Sequence, residues 1–299
     1  MVFARQALRV GVLALALGGL AVVLWSAREP TSELDWDGVA PPFVAACILL
    51  AAAPLVQAFV FVLLLRSLGG DPSARDGVNV WTRAFLLRYA PTGALGYVYR
   101  VRRADRLRAG SRTIWAASAY EQLVAIAAGS AVSLVAFALA GSPVPWPIAV
   151  AGAAAFAVVV LLRPASVGGA LARLARRRGF DLPPRLRARR LGALVLLSAA
   201  AWVPTGMAGW MLFSALAEDK ISFSWFLGAY AFAWLAGFLV PIAPGGLGVR
   251  DAVLAGFLAA PLAPGDAAAV AVAIRLANTF GELVAVSVSE LAGFFEPRR

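Results

Sequence analysis

Long uncharged runs of apolar residues dominate the chain and determine its predicted elements. A hydrocarbon core of about 30 Å requires roughly 20 helical residues to cross it. Apolar stretches of this length cover residues 10–27, 38–65, 113–162, 191–217 and 267–295. Only the third and the last contain charges, which are Glu121 in the third and Arg275, Glu282 and Glu290 in the last. The third is long enough for two spans, since a proline-rich break at 141–147 divides it. The pattern therefore predicts about six transmembrane helices.

The composition supports a membrane protein and excludes several other classes. The 299 residues are 61% hydrophobic and 14% charged, with a mean hydropathy of +0.80. Such a chain has too few polar side chains to cover a soluble globule of this size, which excludes a soluble enzyme. It contains no histidine, which removes zinc and Ser-His-Asp chemistry, and the lone Cys47 argues against a disulfide scaffold.

The basic residues indicate how the spans are oriented. The net charge is +11, from 27 basic and 16 acidic residues. A surplus of this kind also suits nucleic acid, but on an apolar chain it favours the membrane surface. Residues 66–112 hold ten arginines and 163–190 hold nine, whereas 28–37 and 218–220 are net acidic. The positive-inside rule then predicts a multi-pass protein of the cytoplasmic (inner) membrane with both termini in the cytoplasm.

A charged segment at 79–100 is predicted not to span. Arg83 and Arg88 interrupt it, and a proline-glycine break divides it, so we expect a re-entrant helical hairpin that enters from the cytoplasm. The residues that break this hairpin are Pro91, Gly93 and Gly96, followed by Arg100.

The second half of the chain contains a counterpart of this break. Here the breaking residues are Pro244 and Gly248, with Gly245 and Gly246 between them and Arg250 after them. The distances to the next internal charge also match, because Glu121 lies 30 residues after Pro91 and Arg275 lies 31 after Pro244.

These matches and the charge distribution predict two halves of inverted topology. Residues 1–38 form a signal anchor and outer loop, 39–162 the first repeat, 163–190 a basic cytoplasmic loop, and 191–299 the second repeat. The fold class is an all-α integral membrane protein of about six transmembrane helices and two re-entrant hairpins, forming one polytopic domain. Inverted repeats with broken helices are a recurring architecture of transporters.

The string from Pro244 to Asp251 resembles the signature of a flippase-like family found in the membrane half of lysylphosphatidylglycerol synthases and in stand-alone bacterial and archaeal relatives. The hairpin string ending at Arg100 and the region around Glu121 resemble other marks of that family. The chain departs from the pattern at Gln122, where arginine is common, and at Asp251, where glutamate is usual. The resemblance covers nearly the whole chain and implies movement of polar-headed lipids between leaflets.

Ionisable groups inside the membrane are candidates for pairing or for a substrate pathway. Glu121 and Arg275 are predicted to lie near the midplane on equivalent helices. Either they pair with each other or Arg275 holds a lipid phosphate; Glu282 accepts a proton or pairs with Arg275.

The glycine turns provide the second group of candidates. Arg250 and Asp251 follow Gly245 and Gly246, where a backbone without side chains and a helix start favour a phosphate. The alternative is that the glycines only form a turn and Arg250 extends to the interface. Arg100 either serves the cytoplasmic entrance in the same way or belongs to a solvated basic loop.

The sequence therefore predicts a non-enzymatic protein that flips or scrambles an anionic or polyprenyl-linked lipid across the cytoplasmic membrane. No cofactor and no metal are expected, and the chain has no P-loop. The predicted partners are membrane lipids and an envelope glycosyltransferase or lipid-modifying enzyme, with no nucleic acid. The alternatives are a membrane-embedded transferase that acts on lipid-linked sugars, with Asp251 or Glu121 as base, and an accessory subunit of such an enzyme.

Overall fold

The computed structural model describes residues 38–89, 95–142, 186–217, 221–239, 246 and 248–294, and every regular element in these ranges is helical. The helices are α1 (Ala40–Ser67), α2 (Ala74–Leu86), α3 (Leu95–Arg102), α4 (Ala104–Leu107), α5 (Ser111–Leu139), α6 (Ala188–Ala200), α7 (Trp202–Leu216), α8 (Phe223–Leu239), α9 (Val249–Leu258) and α10 (Pro264–Phe294). A short 3-10 turn, Leu87–Tyr89, follows α2.

Four segments of the described chain are long and apolar enough to cross a membrane. They are Ala40–Ser67, Ser111–Leu139, Ala188–Leu216 and Pro264–Leu291. All four coincide with predicted spans, so the protein is an all-helical, multi-pass membrane protein. The predicted spans at 10–27 and in the second part of 113–162 lie outside the described residues.

The third of these segments is two helices rather than one. Helices α6 and α7 are separate elements on either side of Ala201. Pro204 explains the break, because it lacks a backbone N–H and its ring would clash with the carbonyl group four residues earlier in a continuous helix. The hydroxyl of Thr205 donates a hydrogen bond of 2.7 Å to the Ala201 carbonyl at this point.

The C-terminus of α1 and the start of α5 lie at the same end of the molecule, here called the basic end. The backbone N–H of Asp71 donates to the carbonyl of Arg108 at 3.3 Å, which ties the segment after α1 to the segment before α5. The C-terminal part of α10 also lies here, because the carboxylate of Glu290 accepts a hydrogen bond from the Asn79 amide at 3.0 Å.

The other end, here called the opposite end, collects the C-terminus of α5 and the starts of α8 and α10. Ala140, Ser222, Trp225 and Pro261 line one pocket there. Helix α5 therefore passes from the basic end to the opposite end, and α10 passes in the reverse direction. The segment between α1 and α5 begins and finishes at the basic end, while the segment between α7 and α10 begins and finishes at the opposite end.

The helices pack in matched pairs across the two halves. Helix α5 packs on α8 of the second half, and α10 packs on α2 of the first half. Helix α1 packs on both α7 and α10. Close approach of α1 and α10 requires Gly281, since a Cβ there would lie 2.7 Å from Leu50 Cβ and 2.9 Å from the Cys47 carbonyl oxygen. Small residues at helix contacts are the usual means of tight packing in membranes.

Candidate functional site

The first cluster of buried charge joins Arg100 on α3 to Glu121 on α5. The Arg100 guanidinium donates to the Glu121 carboxylate at 2.5 Å and to the Ser118 hydroxyl at 3.2 Å. Both charged residues are buried, Arg100 being 5% and Glu121 4% exposed. Two opposite charges at this distance neutralise each other, which lowers the cost of placing either inside a membrane.

Aromatic side chains complete this first cluster. The indole N–H of Trp81 donates to the second carboxylate oxygen of Glu121 at 2.6 Å. The Arg100 guanidinium carbon lies 4.5 Å from the ring centre of Phe61 and 5.6 Å from that of Tyr97. Aromatic faces attract cations, so Arg100 is held by one carboxylate and by surrounding rings.

The approach of α3 to α2 positions Arg100. A Cβ at Gly96 would lie 2.5 Å from the carbonyl oxygen of Ala84, so only glycine allows α2 and α3 to lie this close. The preceding predicted breakers, Pro91 and Gly93, lie outside the described residues.

The second cluster lies at the start of α9. Gly246 and Gly248 have φ values of +69° and +80°, a conformation that favours glycine, as the motif predicts. A Cβ at Gly237 of α8 would lie 2.9 Å from Cβ of Arg250, so α8 and α9 also pack closely at a glycine. The carboxylate of Asp251 accepts a hydrogen bond of 3.2 Å from the Gly248 N–H and is therefore engaged in closing the turn. Pro244 and Gly245 lie outside the described residues.

Arg250 contacts an aromatic ring and an amide. Its guanidinium carbon lies 4.7 Å from the ring centre of Tyr230 on α8. One guanidinium nitrogen donates to the side-chain oxygen of Asn278 on α10 at 3.5 Å. The Asn278 amide nitrogen is 2.7 Å from the Tyr230 hydroxyl oxygen, which joins the three side chains. Arg250 is 8% exposed, so this positive charge is buried.

The two clusters are built alike. In each, an arginine on a short helix lies over an aromatic ring of the preceding helix, which is Trp81 of α2 for Arg100 and Tyr230 of α8 for Arg250. In each, the arginine and the aromatic residue both bind one polar side chain of a long helix, which is Glu121 in the first cluster and Asn278 in the second.

Helix α10 carries further polar residues on the same face as Asn278. Arg275, Asn278 and Glu282 are spaced three and four residues apart, which places them on one side of the helix. Glu282 forms a salt bridge with Arg88 in the 3-10 turn after α2, and Arg275 is 8% exposed. The carboxylate that the sequence placed beside Arg275 as one alternative, Glu121, is instead bound by Arg100 and Trp81.

The contact between α2 and α10 continues as polar pairs toward the basic end. The Arg83 guanidinium donates to both oxygens of Glu290 at 2.6 Å each. The hydroxyls of Thr82 and Ser289 are 2.9 Å apart. Hydrogen bonding to the Glu290 carboxylate raises the pKa of Arg83 further above its ordinary value. We call these four residues the α2–α10 clasp.

Sequence reasoning did not identify Trp81, Tyr230, Asn278 or Arg88 as members of these clusters. Asn278 gave the clearest available signal, as a side-chain amide between Arg275 and Glu282 in a mainly apolar segment. Trp81 and Tyr230 gave none, because aromatic residues are common at membrane interfaces and in cores. Within the described ranges, no three or more acidic, cysteine or histidine residues are grouped so that they could hold a metal ion.

Comparison with protein families places the chain in a known membrane family. No curated protein matches it at a significant level. The family model described as the lysylphosphatidylglycerol synthase TM region matches residues 6–285, which is nearly the whole chain. The protein therefore belongs to the family of the lysylphosphatidylglycerol synthase transmembrane region, as the Pro244–Asp251 string predicted.

Proposed function

We propose that this protein moves an anionic or polyprenyl-linked lipid between the leaflets of the cytoplasmic membrane. The observation that carries the proposal is the pair of buried arginines, Arg100 and Arg250, each on a short helix of a segment that begins and finishes at one end of the molecule. A charge costs at least about 2.5–3.5 kcal/mol inside a membrane on insertion scales, so two such residues indicate a pathway for charged groups.

The arrangement of helices supports inverted repeats. Helix α1 corresponds to α6 and α7, α2 to α8, α3 to α9, and α5 to α10. Under this correspondence each contact in one half has an equivalent in the other. The contact of α5 with α8 is equivalent to that of α10 with α2, and the contact of α3 with α5 is equivalent to that of α9 with α10. In this interpretation α2 and α3 form a re-entrant hairpin from the basic end, and α8 and α9 form one from the opposite end. Two halves of this kind can rock about one site to open it alternately to either side.

The depth of the clusters supports a site near the midplane. Glu121 lies ten residues after the start of α5, which is about 15 Å along a helix. Asn278 lies 14 residues after the start of α10, which enters from the other end. A phosphate bound between them would be about halfway across, where a headgroup meets its highest barrier.

The orientation follows from the arginines of the connecting segments. We place the basic end in the cytoplasm, since the segments around α2 and α4 carry most of the described arginines. The protein performs no chemical conversion in this proposal. A lipid-modifying enzyme or an envelope glycosyltransferase supplies or consumes the lipid.

Leaflet exchange in liposomes tests the proposal. The full-length protein is reconstituted with tail-labelled phosphatidylglycerol, and dithionite is used to bleach the label in the outer leaflet. If the protein moves lipid, bleaching will proceed to the inner-leaflet label as well. We expect Arg250→Gln to slow this phase about tenfold or more, because a hydrogen bond to a charged group contributes about 1.5–3 kcal/mol. Arg189→Gln, at an exposed position near the start of α6, is the matched control and should behave as the unmodified protein.

The rival functions give different results in the same vesicles. A transferase would convert a lipid-linked sugar to a new product without exchange of the label, and an accessory subunit would give neither exchange nor product. Either result would contradict the proposal.

A further inference from the structure

The two arginine clusters differ in charge although their architecture is the same. Arg100 is neutralised by the carboxylate of Glu121 at 2.5 Å. Arg250 contacts the amide of Asn278 and the ring of Tyr230, neither of which carries a charge. The first cluster has a net charge of zero, and the trio of Arg250, Tyr230 and Asn278 has a net charge of +1.

No described carboxylate forms an ion pair with Arg250. Within the described ranges it takes part in no salt bridge, and the neighbouring carboxylate of Asp251 accepts the Gly248 N–H. The sequence from residue 240 to 247 contains no acidic residue. A buried guanidinium has five N–H donors, and its charge is costly in a membrane unless an anion is present.

From this difference we infer that Arg250, Tyr230 and Asn278 form a binding site for the phosphodiester group of an anionic lipid, and that Asn278 keeps the site open. The inference deepens the proposed function and rests on it. A phosphodiester carries one negative charge, which matches the single uncompensated charge of the trio. Its two non-bridging oxygens can accept two parallel hydrogen bonds from a guanidinium.

Tyr230 and Asn278 have separate roles at this site. The Tyr230 ring lies against the guanidinium, and Tyr230 is fully buried, so it fixes the position of the arginine. Asn278 stands where the other half has Glu121. An acidic residue at this position would bind Arg250 internally, as Glu121 binds Arg100, and would repel a phosphate.

Asn278→Asp is therefore the most direct test, since it changes one amide to a carboxylate of nearly the same size. Binding is measured in detergent on the purified full chain, as the rise in melting temperature with added lipid, so that it does not depend on leaflet exchange. The probes are phosphatidylglycerol, uncharged diacylglycerol with the same acyl chains, and inorganic phosphate. Asn278→Gln is the matched control that keeps the amide, and gel filtration checks that each variant is folded.

We expect phosphatidylglycerol to bind at least about ten times more tightly than diacylglycerol, and Asn278→Asp to remove this preference while Asn278→Gln retains most of it. Arg189→Gln, at the exposed position near the start of α6, should leave the preference unchanged. Equal binding of the two lipids by the unmodified protein, or an unchanged preference in a folded Asn278→Asp protein, would overturn the inference. Stabilisation by inorganic phosphate equal to that by phosphatidylglycerol would overturn the assignment to a lipid.

The inference and the proposed function can fail separately. Lipid exchange in liposomes without a preference for phosphatidylglycerol over diacylglycerol would overturn the inference alone. That binding preference without lipid exchange would overturn the proposed function alone.

Discussion

Arg83 of α2 and Glu290 of α10 lie 207 residues apart in the chain, and two hydrogen bonds of 2.6 Å join them. Beside them the hydroxyls of Thr82 and Ser289 meet at 2.9 Å. Helix α2 is thus fastened at the basic end to the C-terminal part of α10. If the halves rock during transport, the α2–α10 clasp has to open.

A disulfide across the clasp should therefore stop transport. We expect a protein with Thr82→Cys and Ser289→Cys to lose most lipid exchange after oxidation and to regain it after reduction. The experiment requires Cys47→Ala, which removes the single native thiol. Each cysteine alone serves as the control. Undiminished exchange in the fully cross-linked protein would show that the clasp stays closed throughout transport.

Breaking the buried pair of Arg100 and Glu121 should lower the free energy of unfolding more than breaking the half-buried pair of Arg83 and Glu290. Glu121→Gln leaves the buried Arg100 without a counter-charge, and breaking a buried pair in this way costs about 3–5 kcal/mol. Arg83→Gln breaks a pair whose side chains are 41% and 34% exposed, for which about 0–1 kcal/mol is expected. Melting temperatures in one detergent measure both. An equal loss for the two variants would contradict the buried pairing of Arg100 and Glu121.

The contact of α1 with α10 should tolerate no side chain at Gly281. Gly281→Ala places a methyl group 2.7 Å from Leu50 Cβ, so the helices must separate and the melting temperature should fall. Gly256→Ala is the matched control, because a Cβ at that position of α9 would meet no atom within 4 Å beyond the local backbone of its own helix. There we expect a gain of up to about 1 kcal/mol from the restricted unfolded chain. Equal effects would show that α1 and α10 do not approach this closely.

The orientation of the molecule can be checked by labelling of single cysteines. Asp71→Cys marks the basic end and Ser222→Cys the opposite end, and both positions are exposed. With Cys47 replaced, we expect an impermeant maleimide to label the Ser222→Cys protein in intact cells. We expect it to label the Asp71→Cys protein only after the membrane has been permeabilised. Labelling of both positions from the same side would contradict the proposed inverted topology.

The sequence predicted the four described spans well, because a largely apolar run of this length has few alternatives to crossing a membrane. It also predicted that 79–100 would not be a span, since Arg83 and Arg88 lie within it; the described parts are the short helices α2 and α3. The break between α6 and α7 was missed, although Pro204 provides a local reason for it.

The partners of the buried charges could not be predicted in the same way. The matched spacing gave comparable depths to Glu121 and Arg275 and suggested that they pair. The arginine that reaches Glu121 comes instead from its own half, because the tight contact at Gly96 brings α3 against α2 and α5. Asn278 was not recognised, since its role depends on a comparison of two clusters that exist only after folding.

The packing of early helices against late ones, such as α2 against α10, has a consequence for biosynthesis. Helix α10 follows the other described helices in the chain, yet it supplies carboxylates to Arg83 and Arg88. Until α10 has been synthesised, Glu282 and Glu290 cannot bind these arginines, so we expect α2 to reach its final position only after α10 has been inserted. Final insertion is therefore a late, concerted event, and a chain truncated before α10 should be degraded rather than persist as a folded half.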